Sequence, residues 1–574
     1  MNNTNKNILY FLSIVFVMYS GNALSCTNFL ITKGASVNGS TMISYSADSH
    51  TLYGELYFWP ASTYPEGSML DVYEWDTGKF LGKIKQANRT YSVVGNMNEH
   101  QVSIGETTFT GIESLKDTTG IMDYGSLMYI TLQRSKNARE AIFTISELVK
   151  TYGYYSTGES LSIADPNEAW IMEIIGKGPG IKGASWVARR IPDGYVSAHA
   201  NQARIQTFPL ANGKTSISSK EINKIYKPEV ECVYESDVIN SARNNKLFSG
   251  KDSEFSFSDV YAPLNFTAAR FCEIRVWSFF KSVNADMQKY YDYATGHDLK
   301  TRMPLWIKPD RKISNSDVMS FMRDHLEGTP LDMRLDAGAG PFGLPNRWRP
   351  LTWNLNEDST KTYCNERATA TQQTGFSFIA ESRGWLPDPI GGILWFGVDD
   401  AATSVYVPIY CGITATPESI KDGNGDMLTY SPTSSFWLFN SVANFCYLRY
   451  DMMSADVTKK QNELETKFVS DIQETDKAAL SLYNTDKEKA LQYLTNYSLE
   501  MAQLTFDTWK DLSQYLLVKY IDGNIKIEEN GKFKRNPYGI AVMPSQPGYS
   551  ETWKKNVIID TKEKLLLPEG QDGH

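Results

Sequence analysis

The chain has 574 residues, of which 41% are hydrophobic and 21% charged, an ordinary balance for a globular protein with a large core and room for two or more domains. Its formal net charge of −9 argues against a nucleic-acid partner, which would leave a basic stripe. Six cysteines (Cys26, Cys232, Cys272, Cys364, Cys411, Cys446) are scattered without metal-type spacing, so neither a zinc site nor any other metal or organic cofactor is expected.

Residues 1–25 read as a secretory signal: Lys6 in a polar n-region, an apolar run from Ile8 to Tyr19, and small residues at Ala23 and Ser25. The apolar run falls short of the roughly 20 residues a bilayer span needs, and no second run of that length follows, so no stable membrane span is expected and the processed protein is expected to be periplasmic or secreted. A cut after Ser25 would make Cys26 the first residue, placing a free α-amine beside a thiol. These are a general base and a nucleophile on one residue, titrating near about 7.7–8.0 and about 8.5 when unperturbed. Two other readings of Cys26 stand beside this one. In a lipoprotein box it would be acylated and act as a tether, although Ala23 stands where such boxes usually carry Leu and no polar linker follows. It would otherwise be a structural cysteine near the cut. If Cys26 is free, five cysteines remain and at least one is unpaired, so the chain is not a disulfide scaffold.

Thr27 to Lys33 and Ser40 to Tyr45 read as strands flanking Ala35-Ser36-Val37-Asn38-Gly39, whose Asn-Gly is a strong hairpin signal. A five-residue loop sets Cys26 opposite Asp48; a two-residue Asn38-Gly39 turn sets Asp48 opposite Phe29. Ala138, Ile142, Ile145, Leu148 and Val149 form a helical stripe. Ser160 to Ala164, the turn Asp165-Pro166-Asn167 and Trp170 to Ile175 form a second hairpin, and Gly392 to Val398 reads as a buried strand. From about residue 455 the chain is helical: Leu464, Phe468 and Ile472, a capping box at Thr485-x-x-Glu488, then Leu491, Leu494, Met501, Leu504 and Leu516.

Cys26-Thr27-Asn28-Phe29-Leu30, Asn38-Gly39-Ser40-Thr41-Met42 and Ala47-Asp48-Ser49 resemble the start of the cysteine-type N-terminal-nucleophile dipeptidases, the dipeptidase A group. The likeness continues through Gly95-Asn96-Met97-Asn98-Glu99-His100, Ile104-Gly105-Glu106-Thr107-Thr108, Ala138-Arg139-Glu140-Ala141, Ala198-His199-Ala200-Asn201-Gln202-Ala203-Arg204-Ile205, Ala269-Arg270-Phe271 and Leu394-Trp395-Phe396-Gly397-Val398-Asp399-Asp400, over roughly residues 26–450. The resemblance implies an α+β fold, a four-layer α-β-β-α sandwich at 26–450 followed by a helical extension at 451–574. It implies dipeptide substrates.

Through the more distantly similar bile-salt and penicillin-type amide hydrolases the resemblance also implies roles. Asp48 would orient the amine of Cys26, Asn98 and Asn201 would supply oxyanion donors, and Arg270 would be the late arginine of the site, with Arg275 a near neighbour that sequence alone does not separate from it. Tyr45 stands where those hydrolases carry arginine, and the dipeptidase branch is the closer. Each nominee has a plainer reading: Asp48 as a cap, Asn98 and Asn201 as turn residues. His100 and His199 offer a Cys-His alternative, redundant if the amine is the base. The rival functions are an acylase of other linear amides on the same fold and a lipid-anchored protein that binds peptides or glycans. Self-association into a homo-oligomer is compatible with all of them.

Overall fold

The computed structural model describes residues 26–570; the signal segment expected at 1–25 lies outside them. The frame is built, in chain order, from β1 (Asn28–Ile31), β2 (Thr41–Asp48), β3 (Ser103–Thr110), α1 (Tyr124–Leu132), α2 (Ala138–Tyr152), β4 (Gly158–Ala164), β5 (Ala169–Ile175), β6 (Ser185–Arg190), β7 (Val196–His199) and α3 (Ile274–Val283). It continues with β8 (Thr374–Ser382), β9 (Gly392–Val398), β10 (Val407–Tyr410), α4 (Ser435–Leu448), α5 (Tyr450–Tyr483) and α6 (Lys487–Tyr520). The fold is mixed α+β. One seven-stranded sheet runs Trp306–Ile307, β7, β1, β2, β8, β9, β10; a nine-stranded sheet has β6, β5, β4 and β3 at its centre.

Every residue of β2, β4, β5, β8 and β9 is buried, so these strands lack the apolar/polar alternation of a half-exposed sheet. The two sheets approach closely behind β1 and β2. A Cβ on Gly105 of β3 would lie 2.7 Å from Asn28 Nδ2 and 3.3 Å from Tyr45 Cβ, so only glycine fits. His199 of β7 bridges the sheets, its two ring nitrogens at 2.7 Å from Thr107 Oγ1 and 2.7 Å from Ser162 Oγ.

The β1–β2 hairpin differs by one residue from the five-residue-loop expectation. Leu30 pairs with Ile43 and Thr27 with Ser46, so Cys26 aligns with Ala47 and not with Asp48. Gly39 does take the left-handed turn conformation (φ +82°), with Asn38 Oδ1 accepting from Ser40 N at 3.1 Å. The loop is longer because Ser36 bridges to Ile313 and Val37 N donates to Ile313 O at 2.9 Å, a long-range pairing that local turn chemistry does not reveal. A bulge between Ala47 and Asp48 on the β8 side then re-aims Asp48 toward Thr374.

The second hairpin forms as expected, with Ala164 opposite Ala169, as does α2, capped by Asn137 accepting from Glu140 N at 2.9 Å. At the start of α6 the capping residue is Asp486, which accepts from Lys489 N at 3.2 Å; Thr485 instead donates to Leu482 O at 3.0 Å. The hydroxyl of Thr485 is spent on the preceding helix end, and the carboxylate one position later takes the cap.

α5 and α6 join the same apolar cluster as the seven-stranded sheet, through Leu464, Phe468, Leu494, Trp509 and Leu516. Phe439 and Trp509 stack at 4.7 Å, and Arg383, beside β8, reaches Asp476 of α5 at 2.5 Å. No helix among the described residues is long and apolar enough to cross a membrane.

Asp476→Ala tests the attachment of these helices to the sheet. The substitution strands the Arg383 guanidinium, whose side chain is 4% exposed, without its carboxylate partner. A loss of about 3–5 kcal/mol is expected in a denaturant titration. A change below about 0.5 kcal/mol, the scale of an unremarkable surface substitution, would mean the contact contributes nothing to the fold.

Candidate active site

Cys26 lies immediately before β1, 2% exposed, on the wall of a cavity of about 360 Å³. Its Sγ is 3.5 Å from Glu106 Oε1 and 3.8 Å from the Tyr45 hydroxyl, which itself donates to Glu106 Oε1 at 2.6 Å. Tyr45 of β2 packs against Gly105 of β3, and its hydroxyl reaches Glu106, the next residue along that strand. Burial pushes the Cys26 thiol well above its ordinary value, and the Glu106 and Asp48 carboxylates push the same way. The Asp48 backbone N–H and the Tyr45 hydroxyl oppose them. The thiol is therefore protonated at neutral pH, and attack on a carbonyl requires a base to take its proton.

The start of β1 is held by a single buried guanidinium. Arg275 of α3, 1% exposed, donates through Nη1 to Cys26 O at 2.6 Å and to Thr27 Oγ1 at 2.8 Å, and through Nη2 to Asn201 Oδ1 at 2.9 Å and Ala200 O at 3.3 Å. Burial lowers its pKa to about 10, with the nearby Arg367 acting in the same direction. Even so it stays charged at any physiological pH, and its planar fork fixes two segments at once.

Of the residues nominated from sequence, Cys26 and Asp48 line the same cavity. Asp48 is fully buried, receives Arg367 Nη2 at 2.5 Å and Thr374 Oγ1 at 2.7 Å, and burial raises its pKa in spite of both. Asn201 reaches Cys26 through Arg275. Its Nδ2 donates to Thr108 O at 2.7 Å, and its backbone is left-handed (φ +59°).

Two nominees are not brought to Cys26. Asn98 Nδ2 donates to Leu132 O and Ser135 O, both at 2.7 Å, and its Oδ1 accepts from His100 N and Val102 N, both at 3.0 Å. All four of its hydrogen-bonding positions are spent pinning a turn to the end of α1. Arg270 pairs with Glu366 at 2.9 Å, and it is Arg275 that meets Cys26.

A Cys-His pair is not assembled either. Both nitrogens of His199 are taken by Thr107 and Ser162, and burial drives its pKa down to about 3, while His100 pairs with Asp388 at 3.2 Å. Sequence reasoning assigned no role to Glu106, Tyr45 or Arg367. Glu106 sits inside a quoted motif, and Tyr45 was noted only as a departure.

The remaining cavity wall is acidic and aromatic. Glu55, Asp76 and Glu106 line it together with Tyr57, Trp75 and Tyr129, and no Lys, Arg or His does. Trp75 lies 4.7 Å from Tyr129 and 4.8 Å from Tyr57, centroid to centroid. Burial raises Glu55 to about 7. The volume sits at the low end of the roughly 300–1,000 Å³ of small-molecule sites, which suits a ligand of about two residues better than a long peptide.

The model of peptidase family C69 matches residues 55–463. Full-length relatives are similar at low identity. A probable dipeptidase B of Lactococcus lactis is 24% identical, covering 86% of this chain and 95% of the relative. A probable dipeptidase of Latilactobacillus sakei is 22% identical with the same coverage, and a dipeptidase of Bifidobacterium longum is 21% identical over 82% of this chain and 86% of its own length. With the family model matched across most of its length, and a buried cysteine on the wall of a small acidic cavity, the chain belongs to peptidase family C69.

Proposed function

We propose that this protein is a cysteine-type dipeptidase acting in the periplasm or outside the cell, with Cys26 as its nucleophile once the chain is cut behind Ser25. The observation that carries the reading is the Cys26 thiol opening into a cavity of about 360 Å³, in a chain whose full-length relatives bear dipeptidase names. The two facing sheets, with α1 and α2 packed against one and α3 to α6 against the other, support the four-layer α-β-β-α arrangement of N-terminal-nucleophile hydrolases.

Sγ attacks the scissile carbonyl carbon while the α-amine of Cys26 takes the thiol proton. The carbonyl π pair moves to oxygen, where the Asp48 N–H is a donor beside the sulfur; the one proton of the Tyr45 hydroxyl is already given to Glu106. The C–N bond then breaks, the ammonium of Cys26 returns its proton to the leaving amine, and water hydrolyses the thioester. Arg275 holds the carbonyl of Cys26, and with it the direction of the sulfur. Asp48, fixed by Arg367 and Thr374, is the carboxylate that orients the amine.

Cys26→Ala is expected to abolish dipeptide hydrolysis while leaving the unfolding midpoint nearly unchanged; more than a trace of cleavage by a verified variant would remove the nucleophile assignment. Cys26→Ser keeps the amine and a hydroxyl, and a large but incomplete loss is expected because the more acidic, more nucleophilic sulfur is gone.

The base is created by the cut, since the nitrogen of Cys26 in a longer chain is an amide without basicity. A form starting Met-Cys26, its terminus verified by mass spectrometry, is expected to lose about 10²–10⁴ in rate relative to one starting at Cys26. The processed form should gain activity as pH rises through the amine titration, because only the neutral amine accepts the proton. Equal activity of the two forms would mean that another group is the base.

A further inference from the structure

Glu106 and Glu159 form a carboxyl pair that the reaction above leaves unused. They lie on the adjacent strands β3 and β4, where Thr108 pairs with Glu159; Glu106, two residues from Thr108, therefore projects from the same face of the sheet. Both are 1% exposed. Glu106 Oε2 receives no hydrogen bond from a donor group among the described residues, the Thr108 hydroxyl lies beside Glu159, and the two carboxyls stand within hydrogen-bonding reach of each other. The titratable groups around them are Cys26, Tyr45, Tyr124, Tyr129, Tyr154 and Asp76, none of them a cation.

Two neighbouring carboxyls this deeply buried do not both ionise, so the pair holds one proton and one charge. Burial raises both, and the Tyr45 hydroxyl and the Cys26 thiol donate to Glu106 Oε1, which puts the charge on Glu106 and the proton on Glu159. A buried anion without a cation is costly, and with the Cys26 α-amine neutral, as the attack requires, the side chains around the pair supply no positive charge.

Substrate geometry supplies it. In an N-terminal residue the ammonium nitrogen lies about 2.5 Å from the carbonyl carbon, by the standard N–Cα and Cα–C bonds. A sulfur poised for attack is about 3–3.5 Å from that carbon. The ammonium of a bound dipeptide must therefore sit within about 6 Å of Cys26 Sγ, and Glu106 Oε1 is 3.5 Å from that sulfur. The faces of Tyr57, Trp75 and Tyr129 on the same cavity wall suit the flank of a cation.

We infer that Glu106, backed by Glu159, binds the α-ammonium of the substrate's first residue and so makes the enzyme select peptides with a free amino terminus. The inference rests on the dipeptidase reading and names the group by which that site recognises its substrate. Asp76 and, above about pH 7, Glu55 on the same wall add negative potential that draws a cationic terminus in, with Lys116 offsetting part of Asp76's charge.

The test compares the dipeptide cleaved fastest in a panel with its desamino analogue, in which hydrogen replaces the ammonium. Wild-type protein is expected to disfavour the analogue at least about 100-fold in kcat/KM. In Glu106→Gln the dipeptide should lose its advantage over the analogue, whatever change both share from the altered contact with the thiol, so the ratio falls below about threefold; Glu106→Asp, which keeps the charge, should restore part of it. A ratio that survives in Glu106→Gln, with both substrates slowed equally, overturns the inference and makes Glu106 a partner of the thiol alone. A second measurement needs no variant: alaninamide should inhibit the wild-type enzyme at least about tenfold better than propionamide, and equal inhibition overturns the inference. Failure of the dipeptidase reading is scored separately, by residual cleavage in Cys26→Ala.

Discussion

Much of the site depends on one buried cation. Arg275 binds the carbonyl of the residue that carries the thiol, the side chain of the next residue, and the Ala200–Asn201 turn, all from a fixed planar fork. Without it the two residues before β1 would lose the hold on the Cys26 carbonyl and keep the Thr27–Ser46 bridge and the contacts of the Cys26 sulfur, since β1 begins at Asn28. The cost of burying a guanidinium is offset because its donors are satisfied by carbonyl, hydroxyl and amide oxygens whose positions are set by α3, β1 and the β7 turn. A lysine ammonium is a point charge and does not span those acceptors in one plane.

What the sequence made legible was what short-range chemistry determines. The Asp165-Pro166-Asn167 turn, the apolar stripe of α2 and the buried run of β9 need only neighbours along the chain, and all three form where expected. Cys26 stood out because the cut pattern and the strand that follows it are contiguous in sequence, and the structure sets it on the cavity wall. The β1–β2 register was not, because the loop is held open by residue 313, far along the chain. Arg270 and Arg275 were indistinguishable because Ala269–Glu273 is a π-helical turn, which rotates everything after it relative to an ordinary 3.6-residue periodicity.

Glu106 was visible as a motif residue without a role, since its meaning comes from the sheet-to-sheet approach at Gly105 and from Glu159 on the next strand. Asn98 illustrates the converse. Asparagine in a turn-rich motif is compatible with an oxyanion donor, and only the full set of its partners shows that nothing is left to donate.

The electrostatics of the cavity separate two tasks. Arg275 and Arg367 lie outside the cavity lining beside Cys26, where they fix backbone and the Asp48 carboxylate, while the cavity wall carries carboxylates and aromatic rings. The thiol thus sits in surroundings that hold it protonated until a base removes the proton, and the only base the account invokes is the amine on the same residue. The most direct measurement is acid-quenched peptide mapping during turnover of the processed enzyme. The account predicts an aminoacyl mass increment on a peptide whose first residue is Cys26; an increment on any other residue, or an active enzyme whose terminal peptide begins upstream of Cys26, would contradict it.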